Sequence, residues 1–272
     1  MTDDLNYAQY LRLDEILNAQ TPRSRSTGKD GKEGKDGPEH DELLFIVIHQ
    51  VYELWFKQML HEIDYLQKLL RADDLPRALH TFRRVLTILK TVVAQIDVLE
   101  TMTPLEFLAF RDFLESGSGF QSYQFRELEF VLGHKREGIL KNFSDGSTAQ
   151  QRLTERFAQP TLWDAFLHLL KTHEYPVPDA LLKRDVTQSV TPSPELQKIL
   201  IEIYRNDDTL SPVCEVMVDL DEGLQEWRYR HVKMVERTIG SKAGTGGSAG
   251  VAYLRTTLTP LFPDLWQIRS EF

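Results

Sequence analysis

The chain is short of cysteine: Cys214 is the single one among 272 residues. One thiol forms no disulfide, no cysteine zinc cluster and no iron–sulfur site within the chain, and this scarcity fits a reducing, cytoplasmic compartment. Positive charge is also short. Lys and Arg number 32 against 41 Asp and Glu, for a net charge of −9. A nucleic-acid partner is therefore not expected, because phosphate binding needs a basic face. No uncharged apolar stretch reaches the roughly 18 residues that a membrane span requires. Residues 1–10 carry two aspartates and no apolar run, which does not read as a signal peptide. Sustained alternation of β-branched and polar residues is missing too, which leaves an all-α fold class.

What is present is a large apolar inventory. The hydrophobic fraction is 41%, with 14 Phe, 9 Tyr and 4 Trp, enough for one sizeable core over residues 1–272. The run Leu43 to Ile48 passes into helical spacing at Val51, Leu54, Trp55, Met59, Ile63, Leu66 and Leu70, with no Gly or Pro before Pro76. This predicts a helix of about 30 residues, roughly 45 Å long. Its first half is apolar on every side and is expected to run through the middle of a helical bundle. Further helices are expected over 75–99, from Thr103-Pro104 to Gly117, over 122–132, 162–170 and 193–204, and from about Pro212 to Ile239. Two segments interrupt the pattern. Residues 22–38 have no large apolar side chain and place Gly28, Gly31, Gly34 and Gly37 at a three-residue period, too short and too poor in proline for collagen; a flexible polar loop is expected. The second is the glycine-rich stretch 240–250.

Within that stretch, Gly246-Gly247-Ser248-Ala249-Gly250 fits the hydrolase pattern G-x-S-x-G, but a helix precedes it where the hydrolase needs a strand. A ligand-facing loop, in which Thr245 offers hydroxyl and amide, is the other reading. Arg111 follows the apolar run Phe107-Leu108-Ala109-Phe110. It reads either as a surface or salt-bridged arginine or as a bidentate clamp for a carboxylate. Gly117-Ser118-Gly119, just beyond it, lacks the third glycine and leading strand of a dinucleotide site.

Of the eight histidines, His80, His134, His168 and His173 have polar or charged neighbours and are expected at the surface, His61 beside Glu62 and Asp64 is expected to be partly solvated, and His40 neighbours the polar loop. His49 and His231 differ. His49 shares a helix face with Phe45 and Tyr52. His231 continues the apolar seam Leu220, Leu224, Trp227 towards Met234 and Val235. Each is either a core histidine bonded to a carbonyl or one of a pair flanking a flat cofactor between helices. The sequence has neither paired E-x-x-H motifs, nor H-E-x-x-H, nor C-x-x-C-H. Non-covalent haem, which needs one axial histidine and an apolar slot, is permitted.

Five blocks resemble the tryptophan 2,3-dioxygenase family of haem enzymes, in family order. They are FIVIHQVYELWFKQ (residues 45–58), FLAFRDF (107–113), SGFQSYQFR (118–126), WRYRH (227–231) and GTGGSAG (244–250). The likeness runs from Asn6 to the C-terminal region and leaves out 22–38. It implies a helical bundle with haem b sandwiched between long central helices. It also implies the substrates L-tryptophan and O2, the product N-formyl-L-kynurenine, and a place at the start of tryptophan catabolism by the kynurenine pathway. His231 would be the proximal iron ligand. His49 would be the distal histidine, facing the indole nitrogen. Arg111 would hold the substrate carboxylate and Thr245 the polar end of the amino acid. Phe45, with Ile46, Val47 and Ile48 beside it, and Phe107 would border the indole pocket. Some relatives carry tyrosine at Phe107, so a hydroxyl contact to the carboxylate is missing here. Ser118 and Gly119 would form a turn near the haem edge and the substrate ammonium. Tyr7, Tyr10 and Leu11, in a segment of about residues 1–20, would reach a neighbouring subunit's site in a homotetramer built as a dimer of dimers. A haem sensor or carrier on the same fold, a dioxygenase of another indole and a plain helical scaffold remain the competing readings.

Overall fold

Residues 75–99 of the computed structural model form a helix because Asp74 caps it, accepting from Arg77 N, and Pro76 occupies its first turn. The structure describes residues 5–24, 37–115, 117–242 and 250–272. Among these residues there are thirteen α-helices and no strand. In chain order they are α1 (Tyr7–Leu11), α2 (Leu13–Leu17), α3 (His40–Arg71), α4 (Leu75–Leu99), α5 (Pro104–Arg111), α6 (Tyr123–Val131) and α7 (Thr148–Phe157). Then follow α8 (Leu162–Thr172), α9 (Asp179–Leu182), α10 (Pro194–Asn206), α11 (Ser211–Ile239), α12 (Val251–Arg255) and α13 (Pro263–Gln267).

The two longest helices, α3 and α11, both pack along α4. Their seams make one core in which Ile63, Leu66, Leu70, Phe82, Val85, Cys214, Met217 and Leu220 are fully enclosed. The α4–α11 contact is close because Gly223 sits mid-helix, where a Cβ would stand 2.8 Å from the Leu89 side chain. A smaller core of Phe130, Ile139 and Leu153 lies under α6 and α7. There Lys135 donates to the carbonyls of Arg156, Phe157 and Gln159, tying off the end of α7. Between α6 and this loop Gly133 takes φ +104°, and a side chain there would strike Val190.

Four differences from the sequence expectation stand out. The helix opened by Thr103-Pro104 ends at Arg111 and tightens into a 3₁₀ turn at Asp112–Leu114, because Glu115 adopts φ +50° before Gly117 is reached. The first half of α3 is not enclosed on all sides within the chain: Leu43, Val47 and Leu54 form an exposed stripe. The polar stretch 22–38 begins anchored, since Arg23 N and Ser24 N donate to the buried Glu42 carboxylate; residues 25–36 lie outside the described ones. Helix α7 escapes the sequence pattern because it buries one apolar side chain, Leu153. No helix among the described residues is long and apolar enough to cross a membrane.

Candidate functional site

One face of α3, the positions Phe45, His49, Tyr52, Glu53 and Phe56, turns towards one face of α11, the positions Trp227, His231, Met234, Val235 and Thr238. Both sets follow the three-and-four spacing of a helix face. Between them lies a cavity of about 260 Å³, closed by α5, by residues 118–126 and by α12. Its walls are chiefly apolar, and three arginines, Arg111, Arg126 and Arg228, stand there against two carboxylates, Glu53 and Glu129. An acidic protein thus carries a positively biased interior.

The two histidines have different settings. His49 Nδ1 lies 2.7 Å from the Phe45 carbonyl oxygen. Only a protonated Nδ1 can donate there, so Nε2 of the neutral ring is left as an acceptor. Burial pushes the His49 imidazole below its ordinary value, with the Phe45 bond and Glu53 acting in the opposite sense. Around it Phe45, Phe107 and Phe110 pack edge and face, with ring centroids 5.4 to 5.8 Å apart. His231 is driven down to about 4 by burial first, then by His49 and Arg126. It is therefore neutral near pH 7. Its ring stacks on Trp227, one turn earlier. Trp227 itself rests against Phe125, centroid to centroid 4.7 Å, and stands edge-on to Phe56. Among the described residues neither nitrogen of His231 has a hydrogen-bond partner, although the residue lines the cavity.

Beyond His231 lies a polar hub. Glu129, enclosed on all sides, receives Arg126 at 2.5 Å, Arg136 at 2.8 Å and Arg228 at 2.9 Å. Burial pushes its carboxyl up, and the three guanidiniums outweigh this and hold it below the usual carboxylate range. Arg136 also donates to the Tyr253 hydroxyl at 2.7 Å. His134 beside the hub departs from the sequence expectation of a surface residue. It is half-buried, its Nδ1 has no partner, and burial takes it to about 4.

The cavity brings together Phe45, His49, Phe107, Arg111, Ser118, Gly119 and His231. Ser118 caps the short turn Gly119–Gln121, accepting from Phe120 N at 3.3 Å. Ile46, Val47 and Ile48 do not line the cavity, because consecutive helical positions point about 100° apart; Ile48 enters the core and Val47 faces outward. Tyr7, Tyr10 and Leu11 lie in the exposed α1, away from the cavity of their own chain. Thr245 lies outside the described residues. Sequence reasoning gave no role to Arg126, Glu129 and Arg228. Their charge, on helices otherwise read as amphipathic, marks them as solvated, and the pairing that permits their burial is long-range.

Fold and site define an all-α bundle protein with an aromatic-walled cavity faced by two neutral imidazoles. The family profile described as tryptophan 2,3-dioxygenase matches residues 2–183 and 149–272. The chain is 61% identical over 271 residues to the tryptophan 2,3-dioxygenase of Herpetosiphon aurantiacus, covering 100% of both chains. It is 54% identical to that of Anaeromyxobacter sp. strain K, covering 98% of this chain and 96% of the relative. It is 43% identical to that of Caulobacter vibrioides, covering 100% of each. The chain belongs to the tryptophan 2,3-dioxygenase family.

Proposed function

We propose that the protein is a haem-dependent dioxygenase that inserts both atoms of O2 across the C2–C3 bond of the L-tryptophan indole, giving N-formyl-L-kynurenine and opening tryptophan catabolism by the kynurenine pathway. The observation that carries the reading is the pair His49 and His231, neutral and on opposite helices of one cavity, with His231 unbonded among the described residues. A core histidine would have a carbonyl or hydroxyl partner. No group of three or more His, Cys, Asp or Glu side chains converges among the described residues. A single imidazole beside an apolar slot suits an iron carried in its own macrocycle.

His231 would hold the iron of haem b, and the bound iron would supply the activation of dioxygen. The chain's own residues do the rest. His49 Nε2 accepts the indole N–H and fixes the ring's orientation, while its Nδ1 stays committed to Phe45. The indole N–H is too weakly acidic to be given up outright to a neutral imidazole, so His49 acts by positioning. Phe45 and Phe107 border the ring and exclude water. Arg111 offers its fork to the carboxylate, and Thr245 meets the polar end of the amino acid. Ser118 and Gly119 lie at the rim. Tyr7, Tyr10 and Leu11 complete the site of a neighbouring chain in a cytoplasmic homotetramer. Support comes from Tyr7 and Tyr10, which remain 74% and 72% exposed on their own chain.

The test is an anaerobic ferrous sample titrated with L-tryptophan and then exposed to oxygen. A shift of the haem spectrum on titration, followed by N-formylkynurenine absorbance on oxygenation, is expected. A haem spectrum with no product would leave a carrier or sensor, and no Soret band would remove haem altogether.

A further inference from the structure

Arg126 is almost fully enclosed, with 8% of its side chain exposed, and it lines the cavity on the side of His231. Its guanidinium lies 5.1 Å from the centre of the Phe120 ring and 4.9 Å from that of Phe125. These rings hold the plane of the fork in place. One terminal nitrogen serves Glu129, and the buried Nε has no partner. Arg228, next to it on the cavity wall, donates to Thr257 O at 2.6 Å and to Glu129 at 2.9 Å, and its Nε is likewise unpaired. Charge does not balance here. Three guanidiniums, Arg126, Arg136 and Arg228, converge on the single carboxylate of Glu129. Glu53, the other carboxylate on the cavity wall, accepts from Gln124 at 2.8 Å, and Asp221, which acts on Arg228, is already committed to Leu261 N, Phe262 N and the Trp266 indole. A buried arginine with an unused donor is costly unless an anion completes it.

We infer that Arg126, with Arg228 behind it, is the anchor for a carboxylate carried on the rim of the flat cofactor, distinct from the carboxylate that Arg111 takes from the amino acid. The inference rests on the haem reading and adds a second recognition element to it. His231 sets which ring system enters, and the Arg126 fork sets which edge of it turns inward. Glu129 orients the fork without neutralising it. Phe120 and Phe125 exclude the water that would otherwise screen it. Arg126 is thus a binding residue for the cofactor's acidic edge, and a macrocycle whose carboxylates are masked would lose that grip while keeping its axial ligand.

The experiment titrates the full-length apo-protein with protohaem and with its dimethyl ester, following Soret absorbance and the quenching of tryptophan fluorescence. The wild-type protein is expected to favour the free acid by about tenfold or more, and Arg126→Gln to close most of that gap by weakening the free acid alone. A wild-type protein that takes both equally, or an Arg126→Gln protein that keeps the full gap, overturns the inference. A wild-type protein that takes neither overturns the haem reading instead. Should Arg126→Gln fail to fold by circular dichroism, Arg126→Lys decides. Its lost fork is expected to narrow the gap several-fold, and an unchanged gap overturns the assignment. A third arm compares L-tryptophan with tryptamine on the haem-loaded variant. If Arg126→Gln weakens only L-tryptophan, the carboxylate belongs to the amino acid and the assignment to the cofactor falls.

Discussion

Trp227 and His231 lie one helical turn apart on α11 with their rings 5.2 Å apart and only 2° from parallel. The indole is itself wedged by Phe56 and Phe125, so the imidazole plane is set by packing and not by a hydrogen bond. Replacing Trp227 with Leu frees that plane. Haem affinity is expected to fall about two- to tenfold, from the lost ring contact of ~0.5–1.5 kcal/mol, with a broadened Soret band; Trp227→Phe should recover most of it. Absorbance titration checks both.

Arg111 shares its helix face with Phe107, one turn earlier. In Arg111→Leu the affinity for L-tryptophan is expected to drop by about 10- to 100-fold, the worth of charged hydrogen bonds. Tryptamine, which lacks the carboxylate, should bind almost as before. Equal losses measured for the two compounds would remove the clamp.

The pH dependence of apo-protein stability follows from imidazoles that desolvation holds below their ordinary value. His231 and His134 both sit at about 4, below the ordinary value near 6.5. Between these values the unfolded chain binds protons that the native chain refuses. Stability therefore rises with pH through this window and is lost as pH falls from about 6.5 to about 4. Urea midpoints across that range are expected to drop steadily, and to drop less in His134→Leu, provided this variant folds like the parent.

Glu129→Ala leaves three guanidiniums facing one another without a counter-charge. Removing one partner of a buried ion network costs about 3–5 kcal/mol, and urea denaturation should show a loss of that size. Arg136→Ala, at the more exposed corner of the hub, should cost less.

His49→Ala removes the acceptor for the indole N–H and leaves His231 untouched. Haem content is expected to stay at the parent level and turnover to persist, with tryptophan binding weakened several-fold. Complete loss of turnover with haem and tryptophan bound as in the parent would instead assign His49 a proton-transfer role.

The bundle was legible wherever the helical period was long. The span of α4 matches its expected bounds, and α3 and α11 differ from theirs by a few residues. The helix signal was weakest where few apolar residues are used, as in α7 with its lone buried Leu153. Phe45 and His49 could be placed on one face from spacing alone, and the same period explains why Ile46 and Ile48 point elsewhere. The Glu129 hub was not legible. It joins residues up to 99 positions apart, and nothing local distinguishes a buried arginine from a solvated one. Thr245 sits in the 243–249 stretch outside the described residues, so its place rests on the family likeness alone.

Gly223 has a reach that its size conceals. Two turns beyond it, about 12 Å along the axis, α11 delivers the imidazole of His231. A methyl group at position 223 would force Leu89 to yield or the two helices to part. Parting would tilt the α11 lever, so the height at which the imidazole meets its guest is calibrated at a crossing with no chemistry of its own.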